Sequence, residues 1–124
     1  MPIQFKIDRT KDLTVFKLTG EVPFSDFLAI LNEYGQSKPT RFELYDAQEL
    51  TGERLTTQEM QSLSRYLSKY ADKRPLDSKT IIVVNKELDF GLSRMISSLT
   101  DGQVPYKIEV CRSIEEAFRA LDDS

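Results

Sequence analysis

The chain has 124 residues, 40% of them hydrophobic and 30% charged, and its 17 Lys and Arg against 20 Asp and Glu leave a formal net charge of -3. That is the composition of a soluble globular protein, and it argues against a bulk-electrostatic nucleic-acid binder. The absence of histidine excludes every histidine-containing catalytic triad and most zinc and haem ligand sets, and the single cysteine excludes an internal disulfide or a multi-cysteine metal site.

Phe5 and Ile7 open an alternating strand, Thr10-Lys11-Asp12 reads as a turn, and Leu13 to Thr19 gives a second strand that leaves at Gly20. The pair predicts an N-terminal β-hairpin. A helix is expected from a cap near Ser25, with Phe24, Phe27, Leu28, Leu31 and Tyr34 along one face. Arg41 to Asp46 reads as the third strand, with Phe42 and Leu44 on one face, Tyr45 on the other and Asp46 at its carboxyl end. A polar loop from Ala47 to Leu55 comes next.

Thr56 and Glu59 have the spacing of a capping box, in which each side chain satisfies a free backbone donor of the other residue. The helix they start carries Met60, Leu63, Leu67 and Tyr70 as its inward stripe and ends at Asp72-Lys73-Arg74-Pro75. Thr80 to Asn85 (TIIVVN) is apolar almost without alternation, as expected of a strand covered on both faces in a parallel sheet. A shorter helix with Leu92, Met95, Ile96 and Leu99 inward is expected next, then a strand from Tyr106 to Cys111. A last helix is capped by Ser113 and reciprocated by Glu116, with Ile114, Ala117, Phe118 and Leu121 inward. The order β-β-α-β-α-β-α-β-α predicts one α/β domain over residues 1–124, a mostly parallel sheet with an N-terminal hairpin and covering helices.

Chemistry is harder to find. The glycines stand singly, so neither a P-loop nor a dinucleotide fingerprint is present, and the acidic residues lack calcium-loop spacing. No catalytic residue, metal site or cofactor is therefore expected. Cys111 at a strand end has no histidine to activate it. Asp46 and Asn85, placed at the carboxyl ends of parallel strands, mark where such sheets open crevices. Thr56, Thr57, Gly91 and Arg94 are expected to border the same edge, forming a polar crevice or docking surface. Phe90, Leu92, Met95 and Ile96 form a candidate apolar contact surface. The expected partners are another protein, a second copy in a homodimer, or a lipophilic small molecule, with no nucleic acid. No run is long enough to span a bilayer and the first residues lack the apolar segment of a secretory signal, so a cytoplasmic location without integral membrane association is expected.

Five segments together resemble the SpoIIAA-like family of the STAS fold: LTGEVPFSDF, LYDAQEL, LTTQEM, ELDFGLSRMISSL and CRSIEEAFRAL. The similarity runs over nearly the whole chain. It implies a regulatory or protein-interaction domain of the anti-sigma-factor-antagonist type, and more remotely a SEC14-like lipid-handling fold. In the phosphorylated antagonists an Asp-Ser-Ser-Gly-like motif joins a strand to the next helix, and its serine is modified by a partner kinase. Here AQELTGER separates Asp46 from Thr56 and that motif is absent, leaving Thr56 or Thr57 as the positions nearest to such a switch.

Overall fold

The computed structural model describes residues 3–51, 56–75, 77–84 and 106–122; of residues 57, 60, 64, 70 and 71 it describes the backbone. Strands β1 (Ile3–Asp8) and β2 (Leu13–Glu21) form the N-terminal hairpin. They are followed by α1 (Phe24–Gln36), β3 (Phe42–Thr51), α2 (Thr57–Tyr70) with a 3-10 turn at Ala71–Lys73, β4 (Lys79–Val83), β5 (Lys107–Cys111) and α3 (Ile114–Asp122). The sheet order is β1-β2-β3-β4-β5, with β1 antiparallel to β2 and every other pair parallel. This is the expected fold class. The helix predicted around Leu92–Leu99 lies outside the described residues.

Because each parallel strand is added on the same side of the last, right-handed crossovers deliver α1 and α2 to one face. There Leu31, Tyr34 and Leu63 pack on Ile3, Phe16, Leu18 and Tyr45, with Leu67 at the margin. Phe16 and Tyr45 stack with ring centroids 4.3 Å apart, and Tyr34 meets Phe16 edge-on at 5.0 Å. Each such buried ring or aliphatic chain contributes roughly 1.5–3 kcal/mol. The second face is covered by α3, where Ala117, Ile114, Ala120 and Leu121 pack on Leu13, Leu44, Ile81, Val83 and Cys111. Two-sided burial is why β4 shows no alternation. Phe118, expected inward, is 45% exposed, because the stripe through Ile114, Ala117 and Leu121 leaves it on the flank of α3.

Helix α1 begins one residue before the expected cap. Pro23 occupies the N-cap position, its carbonyl accepting from the N–H groups of Asp26 (3.0 Å) and Phe27 (3.1 Å), and Ser25 lies inside the helix. The two later caps form as the sequence requires. Thr56 N–H donates to Glu59 Oε1 at 2.9 Å while Glu59 N–H donates to Thr56 Oγ1 at 3.0 Å. At α3, Glu116 N–H donates to Ser113 Oγ, but the Glu116 carboxylate reaches past Ser113 to the N–H of Arg112.

The largest departure is at β3. It does not stop at Asp46 but continues to Thr51, so the expected loop from Ala47 begins as strand. Lys17 pairs with Asp46 and Thr19 with Glu49, so Ala47 and Gln48 together oppose Leu18 in a β-bulge. The extra residue turns over the remainder of the strand. Tyr45 and Leu50, five residues apart, end on the same apolar face, and Asp46 and Glu49 share the other. Gly20, expected as an exit turn, lies within β2 at φ 66, and a Cβ there would meet nothing within 4 Å. Its requirement is the left-handed backbone rather than space.

Candidate functional site

β2 to β5 run toward one end of the sheet, and of the residues singled out from the sequence that end receives Asp46, Thr56 and the backbone of Thr57. Asp46 is buried where β4 pairing stops, opposite Val83. Its Oδ2 accepts from Lys17 Nζ at 3.0 Å and its Oδ1 from the Gln48 backbone (3.2 Å) and side-chain amide (3.1 Å). The bulge brings Glu49 to the same ammonium, with Oε2 2.8 Å from Lys17 Nζ. Burial pushes the Asp46 carboxyl up, but the hydrogen bonds from Lys17 and Gln48 outweigh it and hold it below the usual range. The hydrogen bonds to Glu49 and then Asp46 hold the Lys17 ammonium above its usual value. Asp46 is thus an ionised acceptor with its partners supplied, unsuited to serve as a general acid near neutrality.

Thr56 stands at the same end as the N-cap of α2, its hydroxyl and N–H both engaged by Glu59. Thr57 is the first residue of the helix, and its side chain lies outside the described residues. So do Asn85, Gly91 and Arg94 of the predicted crevice and Phe90, Leu92, Met95 and Ile96 of the predicted apolar surface. Cys111 is buried at the end of β5, and burial, then Glu109 and Glu116, push its thiol up against the weaker opposing effect of Lys79. A thiol so placed is a poor nucleophile. Among the described residues no group of three or more Cys, Asp and Glu is placed to hold a metal ion, and no helix is long and apolar enough to cross a membrane.

The opposite end of the sheet holds a polar network absent from the sequence-based expectations. Glu43 and Arg74 are buried there at 1% and 7% exposure, with Arg74 Nε 3.2 Å from Glu43 Oε2, off the hydrogen-bond direction. The guanidinium also donates to Thr80 Oγ1 (2.6 Å), to the Arg41 carbonyl (2.9 Å) and to the Lys79 carbonyl (3.1 Å), and it lies 4.2 Å from the Tyr106 ring centroid. Tyr45 donates to Glu43 Oε1. Beside this network Thr14, Tyr34 and Thr40 join their hydroxyls, and the Thr40 N–H donates to the Tyr34 oxygen at 2.9 Å. The one sequence signal for it is the charge of Glu43 between Phe42 and Leu44, on the face that also carries Tyr45. Lys79 closes the other face, its Nζ 3.1 Å from Glu109 Oε1 and donating to the Ala120 carbonyl at the end of α3.

The solved structure of an uncharacterized protein from the DUF3478 family with a SpoIIAA-like fold, from Shewanella loihica PV-4, is similar to this chain. The TM-score is 0.60 at 19% identity, covering 96% of this chain and 93% of that one. The likeness extends over both chains and assigns the SpoIIAA-like, STAS-type fold. No protein-family model matches the chain, and no curated protein matches it.

Proposed function

We propose that this chain is a non-enzymatic regulatory domain that acts by binding another protein at the carboxyl end of its sheet, in the manner of anti-sigma-factor-antagonist-like domains. One observation carries the reading. Among the described residues all four buried charged side chains, Glu43, Asp46, Arg74 and Lys79, are held in ion pairs within the fold. Groups neutralised in this way are committed to partners inside the fold and are not poised to exchange protons with a substrate. At the carboxyl end three exposed carboxylates stand clear of these pairs or on their margin, Glu21 closing β2, Asp26 in the first turn of α1 and Glu49 on β3. The SpoIIAA-like fold supports the same reading by analogy alone.

The test is crosslinking mass spectrometry on the tagged full chain at native expression level in its own host. With amine- and carboxyl-reactive linkers, the expected result is a reproducible partner whose crosslinks cluster at Lys17, Asp26 and Glu59. A chain that stays monomeric and partnerless, or crosslinks confined to the amino end around Lys38 and Lys73, would overturn the proposal.

A further inference from the structure

Resting on that reading, we infer that the edge of β3 at Ala47–Thr51 is a slot for an extended, basic segment of a partner protein, which docks as an added strand. β2 and β3 outrun β4. The last β3–β4 pair is Asp46 with Val83, and Val84 gives its N–H to the Cys111 carbonyl on β5, away from β3. β3 continues for five more residues paired with β2 through Thr19, Gly20 and Glu21. At about 3.3 Å per residue that is roughly 16 Å of strand edge. Among the described residues no strand pairs with it on the β4 side. Backbone donors and acceptors on such an edge are a template for an incoming strand.

The bulge decides which strand fits. Leu50 faces the apolar side shared with Val22, Phe24 and Phe27, whereas Asp46 and Glu49 lie on the opposite side of the sheet around Lys17. Glu21, two residues beyond Thr19 on β2, joins them. Three carboxylates against one ammonium leave that side with a formal charge of -2. An occupant alternating apolar residues with Lys or Arg would place the first against Leu50 and the second against the carboxylates. The fold supplies main-chain affinity and the charge supplies selection.

The test uses the full chain and synthetic heptapeptides, Ac-KVKVKVK-NH2 against Ac-EVEVEVE-NH2, with amide hydrogen exchange read residue by residue by NMR. The free protein should exchange its slot-facing amides in Ala47–Thr51 rapidly, and the lysine peptide should slow them by about tenfold or more. The glutamate peptide should leave them unchanged. Glu21→Lys, an exposed substitution at a strand end, should weaken lysine-peptide binding by about tenfold while the urea midpoint stays put. The inference fails if those amides are already as protected in the free chain as Leu44 and Tyr45, if both peptides bind alike, or if binding leaves these amides unprotected. A cellular partner that binds wild type and Glu21→Lys equally would sink the slot and leave the interaction reading standing.

Discussion

Arg74 and Glu43 meet 3.2 Å apart in the interior, their side chains 1% and 2% exposed, and the aromatic ring of Tyr106 lies 4.2 Å from the same guanidinium. The pair ties the connection after α2 to β3, while the other guanidinium contacts hold the start of β4. Removing one member strands the other as a buried, uncompensated charge. Arg74→Met is therefore expected to lower the unfolding free energy by about 3–5 kcal/mol in urea titrations, and Arg74→Met with Glu43→Leu to recover much of that loss. Equal losses for the single and double variants would show that packing rather than charge dominates.

Thr56→Ala is expected to cost about 1 kcal/mol, because two reciprocal hydrogen bonds at the start of α2 vanish together. Glu59→Ala removes the same pair from the other side, so the double variant should lose less than the two single losses summed. Thr56→Glu should destabilise as well. Its added carboxylate would lie beside Glu59, which already occupies the position that favours an anion.

The pH dependence of stability has a definite sign at the bulge. Asp46 has a folded pKa below its reference of 3.8, so its contribution is present above that value and lost as pH falls through the folded pKa. Lys17 has a folded pKa above 10.5, so its contribution is present below that value and lost as pH rises through the folded pKa. Lys17→Met should flatten both limbs of the stability profile. At neutral pH it should lose under about 1 kcal/mol, because Lys17 and Glu49 are well exposed.

Tyr106 sets the alkaline limit. Burial pushes its hydroxyl from 10.0 up to about 12, with the Arg74 charge opposing and Glu43 adding to the rise. The unfolded chain ionises this tyrosine first, so stability should fall as pH rises from 10 toward 12. Tyr34 and Tyr66, also raised by burial, add to the slope. Absorbance at 295 nm should show a late tyrosinate step, and Tyr106→Phe should make the alkaline loss shallower.

The caps of the second and last helices and the strand identities were legible because they depend on local chemistry. Thr56 and Glu59 carry their cap in the spacing of two side chains, and TIIVVN announces two-sided burial by composition alone. The course of β3 was not legible. In LYDAQEL alternation fails after Asp46, and a bulge repairs it by setting Ala47 and Gln48 against Leu18, a partner remote in sequence. Arg74 escaped notice for a related reason. At a helix end a lone arginine reads as solvated, and only the return of β3 and β4 encloses it with Glu43 and Thr80. Asp46 lies where β4 pairing stops rather than at the end of β3, and its occupation by Lys17 depends on the β2–β3 register.

The bulge also makes this strand sensitive to parity. Deleting either Ala47 or Gln48 restores plain alternation, with Asp46 and Glu49 two residues apart and Tyr45 and Leu50 four apart, so the rest of β3 keeps its orientation. Deleting both would set Glu49 directly after Asp46, turning Leu50 out to water and Glu49 toward Phe24 and Phe27, while Lys17 would keep only Asp46. Sequence variation among natural forms of this protein should therefore tolerate a gap of one residue between Asp46 and Glu49 and reject the loss of both.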